Sequence, residues 1–224
     1  MRDTSPLDNP IWHALNEAHR PLARAAGLAA RYPADVSPFA GLQEYTQAAF
    51  DDLAALVEPG QTIALFTRQP VAVPDGWAIE RAVTIGQMLC HDLQPQEGPH
   101  PLRLTDDDVP EMLDLVKRTE PGPFLPRTNR MGSYYGYRDN GRLVAMTGMR
   151  LGLAGFAEIS AVCTDPDFRG QGLAGMLSTY VAREIISGGR HPFLHYRLDN
   201  PARHLYEKLG FQPNGTIELT ICTR

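Results

Sequence analysis

The sequence predicts a mixed α/β (α+β) protein in two parts: a smaller N-terminal α/β region over residues 1–98, helices then short strands, and a second domain over residues 99–224. Three observations carry this. Apolar residues recur at helical spacing early in the chain and give way to strand-like runs. Asn140-Gly141 joins two strand-like runs, supplying the positive φ angles of a tight hairpin turn. A further strand then passes through a glycine-rich turn into a long helix with one apolar face.

Taken in order, Trp12, Leu15, His19 and Leu22 share a helical face, with Ala-rich pieces continuing to Leu28 before Pro33 and Pro38 interrupt. A second helix is predicted from about Gly41 to Val57, ending at Pro59-Gly60. Strands follow at Thr62 to Thr67 and around Trp77 to Val83. Asp92 to Pro101, with Pro95, Gly98 and Pro99, has the composition of a surface connection, and the domain boundary is placed there. The second part opens with a strand at Leu102 to Leu104 and a helix that Thr105 can cap, with Asp106, Asp107 and Asp108 at its positive end. The hairpin strands are Tyr134 to Arg138 and Arg142 to Leu151. A third strand, Phe156 to Thr164, leads through Asp165-Pro166-Asp167-Phe168 to the glycine-rich turn and a helix that Gly188-Gly189 ends. A strand at Phe193 to Leu198, a short helix at Pro201 to Leu209 and a strand at Thr216 to Cys222 close the chain.

Bulk properties exclude several classes. With 43% hydrophobic and 21% charged residues the 224-residue chain matches average soluble composition. No apolar run approaches the roughly 20 residues of a membrane helix, and Met1 to Pro10 lacks a secretory pattern, so a cytoplasmic location and no membrane partner are expected. A net charge of -5 and a pI near 5.8 argue against nucleic acid as a partner. Cys90, Cys163 and Cys222 are widely spaced and odd in number, which predicts reduced, buried thiols and no metal site.

The glycine-rich turn carries the chemistry. Arg169-Gly170-Gln171-Gly172-Leu173-Ala174 sits where a strand gives way to a helix, so backbone N–H groups converge at the positive end of the helix dipole. Glycine lets a phosphate approach the backbone, and Arg169 adds charge-assisted hydrogen bonds. A plain tight turn would also accommodate these residues. Gly170, Gly172 and Gly175 further match a dinucleotide fingerprint, with Asp199 about 24 residues on. Against that oxidoreductase reading, four residues separate strand from motif, and only 25 residues follow Asp199, too few for a doubly wound sheet.

Val162 to Ala174 resembles the coenzyme A signature of the GNAT superfamily: Arg or Gln, two residues, Gly, one residue, then Gly or Ala. The resemblance spans roughly Leu102 to Arg224 and includes Leu205-Tyr206-Glu207-Lys208-Leu209-Gly210-Phe211, a common closing motif. It implies a twisted, mostly antiparallel central sheet flanked by helices and an N-acetyltransferase domain over 99–224 that uses acetyl-CoA. Glu158-Ile159-Ser160-Ala161-Val162 also resembles the glycine N-acyltransferase-like branch, which implies a small-molecule amine acceptor and a degenerate GNAT-like half over 1–98.

The same resemblance assigns roles. It implies that Val162, Cys163 and Thr164 bind pantetheine through their backbone where the strand splays from its neighbour, and that Arg169, Gly170, Gln171, Gly172, Leu173 and Ala174 cradle the pyrophosphate. Asn200 matches a residue on the pantetheine arm, with a spacing to Tyr206 one residue shorter than the common pattern. Tyr206 matches a proton donor to the departing sulfur, a role a neutral phenol can fill. Glu158 matches a glutamate acting as general base; alternation would put Glu158, Ser160 and Val162 on one strand face. His191 and His195 are other bases, and an exposed strand glutamate or a packed tyrosine are the plainer readings. The segment after Lys117 would meet the acceptor, with Arg127 and Arg130 able to hold a carboxylate. A catalytically silent coenzyme A binding module satisfies the cofactor motif equally. A homodimer through a C-terminal edge strand is a further expectation.

Overall fold

A computed structural model describes residues 3–224. Helix α1 (Pro10–Asn16) precedes a small antiparallel sheet of β1 (Arg24–Ala26), β2 (Ala29–Arg31) and β3 (Ala40–Leu42), followed by α2 (Gln47–Ala54). Then come β4 (Thr62–Thr67), β5 (Ala78–Cys90), β6 (Leu102–Leu104), α3 (Val109–Thr119), β7 (Tyr134–Asp139), β8 (Arg142–Leu153) and β9 (Phe156–Thr164). The chain ends with α4 (Leu173–Ser187), β10 (His191–Arg197), α5 (Arg203–Lys208) and β11 (Phe211–Thr223).

The first two helices are shorter than the apolar periodicity predicts, for local reasons. Gly27 takes φ +48 and turns the Ala-rich stretch into the β1–β2 hairpin, pinned where Leu28 N–H donates to Asp52 at 2.8 Å. Gly41 lies in β3 against the backbone of Trp12, and helix α2 starts only after Thr46, whose side chain accepts from Ala49 N–H. At α3, Thr105 and Asp108 form the capping box ahead of the helix. The hairpin turn between β7 and β8 has both Asn140 and Gly141 at positive φ.

Eight strands make one sheet in the order β4-β11-β5-β10-β9-β8-β7-β6, antiparallel throughout except for the β9–β10 pair. Residues 92–101 do not divide this sheet: β4 and β5 precede them, and β5 lies between β10 and β11, antiparallel to both. The boundary read from composition is thus a connection within one sheet. It crosses α4, where Gln96 N–H donates to Thr179 at 3.0 Å and Glu97 pairs with Arg183. Strand β11 is not an edge either. Strand β4 covers it from Glu218 to Thr223, so the edge strands are β4 and β6, and the C-terminal end of β11 is paired on both sides.

Helices cover both faces. On one, Leu177, Val181 and Ile185 of α4 and Tyr206 of α5 pack on Ala157, Ile159 and Leu194. On the other, Ile11 and Leu15 of α1 pack with Phe156 and Phe193, and Met112 and Leu115 of α3 with Tyr134 and Cys163. Burying each such phenylalanine contributes about 1.5–3 kcal/mol, so the N-terminal helix is anchored on the central strands.

Candidate active site

Strand β9 organises the site. Its parallel pairing with β10 covers only Phe156 to Glu158, against His191 to Phe193. Beyond Glu158, β10 stays with β5 while β9 stays with β8, so the two strands part. A register shift against β8 and a φ of +53 at Ala161 mark a bulge in the freed stretch. The bulge reverses the side-chain alternation. Ala157, Ile159 and Val162 therefore face α4, whereas Ala161 and Cys163 face α3, and Val162 does not share a face with Glu158 as simple alternation predicts.

After β9, Asp165 is buried (1% exposed) between Arg118 of α3 and Arg142 of β8 and also accepts from Asp167 N–H. This anchor fixes the start of the glycine turn. Gly170 and Gly172 take φ +78 and +79, a region that β-carbons disfavour, and Gly172 immediately precedes α4. No side chain caps that helix, so its first N–H groups remain open to an anion, with Arg169, Gly170 and Gln171 exposed around them and Leu173 and Ala174 in the first turn. The third glycine of the apparent dinucleotide fingerprint has a packing explanation. The Gln96 amide lies where Cβ atoms of Gly172 and Gly175 would be, a contact invisible to motif reading.

Residues at the mouth of the parting fit the proton-donor and packing roles unequally. Tyr206 is 7% exposed; burial, with the nearby Cys163, pushes its phenol up to about 12, so it stays protonated. Burial likewise holds Cys163 as a thiol, pushed up to about 12, which excludes it as a resting thiolate nucleophile. Thr164 Oγ1 is buried without a partner at the end of β9. Asn200 turns its Oδ1 onto Ala202 N–H at 2.9 Å, at the start of α5.

Glu158 is fully buried, and both its oxygens are engaged. Arg150 Nε and Nη2 donate to them at 2.8 and 2.7 Å, and His195 Nδ1–H donates at 2.7 Å. His195 is held in turn by Gln87 at 2.9 Å, whose Oε1 accepts from Arg68 and Asn214. Burial by itself raises the carboxyl pKa, but the Arg150 charge and these hydrogen bonds outweigh it and hold Glu158 at about 2. A base works best near the operating pH. The general base expected at Glu158 is therefore corrected: the group is neither exposed nor basic enough to take a proton from an ammonium. His195 is buried too, and burial lowers its pKa despite Glu158.

On the α3 face, Phe124, Tyr134, Arg150, Ser160 and Ala161 line a cavity of about 10 Å³. Tyr134 also lines a wider hollow of about 500 Å³ with Asp106, Asn129 and Arg130. The expected carboxylate ligands are spent elsewhere: Arg127 pairs with Asp35 at 3.1 Å and Arg130 with Asp106 at 2.9 Å. The N-terminal segment holds this loop, because Arg127 N–H donates to Asp35 O and Thr128 Oγ1 to Val36 O. Sequence reading missed Arg150. Its signal is an arginine between Met149 and Leu151 in the apolar second half of a strand.

Comparison with known proteins follows the same lines. The FR47-like protein family matches residues 134–218. A structure from Novosphingobium aromaticivorans assigned to the GNAT family of acetyltransferases is 36% identical, covers 98% of each chain and superposes with a TM-score of 0.90. A GCN5-related N-acetyltransferase from Kribbella flavida has a TM-score of 0.63 at 18% identity, covering 94% of this chain and 93% of its own. A GCN5-related N-acetyltransferase-like protein from Streptococcus suis reaches 0.58 at 15%, covering 96% and 92%. No curated protein matches the chain. Fold and site define an acyltransferase scaffold. The chain belongs to the GNAT family of acetyltransferases.

Proposed function

We propose that the protein is an N-acetyltransferase that moves an acetyl, or another short acyl group, from acyl-coenzyme A to the amine of a small molecule by direct attack on the thioester. The observation that carries this reading is the parting of β9 from β10 directly ahead of the uncapped α4 N-terminus. Those residues fit the cofactor: the turn offers N–H groups and Arg169 to a pyrophosphate, the freed backbone of Val162, Cys163 and Thr164 offers hydrogen bonds to a pantetheine arm, and the buried Thr164 hydroxyl lacks a partner. When bound, coenzyme A supplies an activated acyl thioester. Asn200 accepts from Ala202 N–H and so steadies the turn that leads into the helix bearing Tyr206.

Tyr206, protonated and next to the end of β9, would give a proton to the departing sulfur, and the proton that the amine nitrogen sheds on forming the amide would restore the phenol. The amine enters from the α3 face as the free base, since the one carboxylate at the parting, Glu158, is already paired. No helix among the described residues is long and apolar enough to cross a membrane, and a cytoplasmic setting is part of this proposal.

Thermal unfolding with acetyl-CoA, coenzyme A and NAD tests the reading. Coenzyme A compounds at 100 times Kd should stabilise the fold by about 2.7 kcal/mol, and thiol release should then follow addition of amines. Stabilisation by NAD alone would favour the oxidoreductase; coenzyme A binding without thiol release from any amine would favour a silent binding module.

A further inference from the structure

The small cavity on the α3 face says what the acceptor must present beside its amine; this rests on the acyltransferase reading. One group lining it is left unsatisfied by the rest of the fold, and a second has a nitrogen outside its ion pair. Tyr134 is 2% exposed, yet its hydroxyl is buried without a hydrogen-bond partner, an arrangement that costs about 1–3 kcal/mol and is rare without a reason. Arg150 lies over the Phe39 ring at 4.9 Å and gives Nε and Nη2 to Glu158, so Nη1 is the nitrogen that the carboxylate does not take. Tyr134 and Arg150 both line this one small space, with Ser160 and Ala161 of the bulge between β8 and the parting. Thr128, also at the cavity, has its hydroxyl committed to Val36 O and Leu125 N–H.

The cavity therefore presents donors, and its size and charge restrict what they receive. A volume of about 10 Å³ seats one water-sized group, so a single oxygen fills its inner part. Glu158 already neutralises Arg150, so a buried carboxylate would leave an uncompensated negative charge. A carbonyl oxygen has two lone pairs for two donors and no hydrogen of its own to place. Tyr134 borders the wider hollow as well.

We propose that the acceptor carries an uncharged carbonyl next to its amine, as in an α-amino amide, and that Tyr134 and Arg150 Nη1 receive that oxygen. Both are then specificity-determining residues that orient the amine toward the bulge at Ala161.

The test uses acetyl-CoA and four amines on one skeleton: glycinamide, glycine, ethanolamine and propylamine. Thiol release is followed for wild type and Tyr134→Phe, with the thermal shift by acetyl-CoA recorded for both. Because the hydroxyl has no partner, the Phe variant should fold with an unchanged or raised Tm. The expected result is a kcat/KM for glycinamide, expressed per free-base amine, at least about tenfold above the other three, with that preference lost in Tyr134→Phe and the acetyl-CoA shift retained. Equal rates for all four amines would mean that the cavity holds only a structural water. That outcome, a preference for glycine or ethanolamine, or no turnover with the acetyl-CoA shift intact, overturns the carbonyl proposal. An absent acetyl-CoA shift in the wild type overturns the acyltransferase reading itself.

Discussion

Arg150 and Glu158 form a two-pronged ion pair at the last position where β9 is still joined to β10, Glu158 standing opposite Phe193. The pair sits at the apex of the parting and fixes where it starts. Removing one partner of such a buried pair leaves an unpaired charge and costs about 3–5 kcal/mol. Glu158→Gln is thus expected to lower stability by that order. In whatever fraction folds, the pH dependence of kcat/KM should keep its wild-type midpoint, whereas a general base would abolish the acidic limb. Denaturant unfolding and a pH–rate profile separate the two roles.

Gly210 ties the closing motif to the connection before β6. Its φ is +91, and a Cβ there would lie 1.9 Å from the Asp92 carbonyl oxygen, a backbone atom that cannot swing away. Gly210→Ala combines the left-handed penalty of roughly 1–2 kcal/mol with that clash. Gly60→Ala has φ +79 and open space around the position, so it meets the conformational penalty alone. Chemical denaturation should rank Gly210→Ala as the more damaging by at least about 1 kcal/mol.

What the sequence made legible is what local chemistry decides. Asn140-Gly141, the Thr105 cap and the strand–turn–helix at Arg169 are each set by residues within a few positions of one another, and they stand where predicted. What it hid depends on distant partners. The place of β5 between β10 and β11 follows from pairings more than 100 residues apart, and the Gln96 contact with Gly172 and Gly175 from a connection lying across α4. Glu158 looked like a base because its place ahead of the glycine turn is visible, while its pairing with Arg150 depends on the β8–β9 register and that with His195 on a strand 37 residues away. Alternation failed at Val162 because a bulge is a property of two strands together.

Tyr206 offers a cleaner separation of binding from chemistry. It packs beside Phe211 with ring centroids 6.2 Å apart and keeps its proton well above neutral pH. Tyr206→Phe retains the ring and removes the donor. The expected outcome is a fall in kcat of about 10²–10⁴, the usual scale for a general acid, with acetyl-CoA affinity within a factor of about three. Calorimetric Kd and steady-state kcat check it; an unchanged kcat would reduce Tyr206 to a packing residue.

His19 makes the fold sensitive to mild acid. It is 7% exposed, and its Nδ1 is 2.8 Å from the Tyr32 hydroxyl. Burial, helped by the Arg190 charge, lowers its pKa from 6.5 to about 4, although the Met131 carbonyl and Glu158 pull the other way. The imidazole thus stays neutral in the folded chain at pH values where the unfolded chain binds a proton. Its contribution is complete above pH 6.5 and is lost as pH falls toward about 4, amounting to about 2 kcal/mol at pH 5. His19→Gln removes the titration and keeps a polar side chain. The difference in unfolding free energy between pH 7.5 and pH 5 should therefore be about 2 kcal/mol smaller in the variant than in the wild type; identical pH slopes would show that His19 titrates alike in both states.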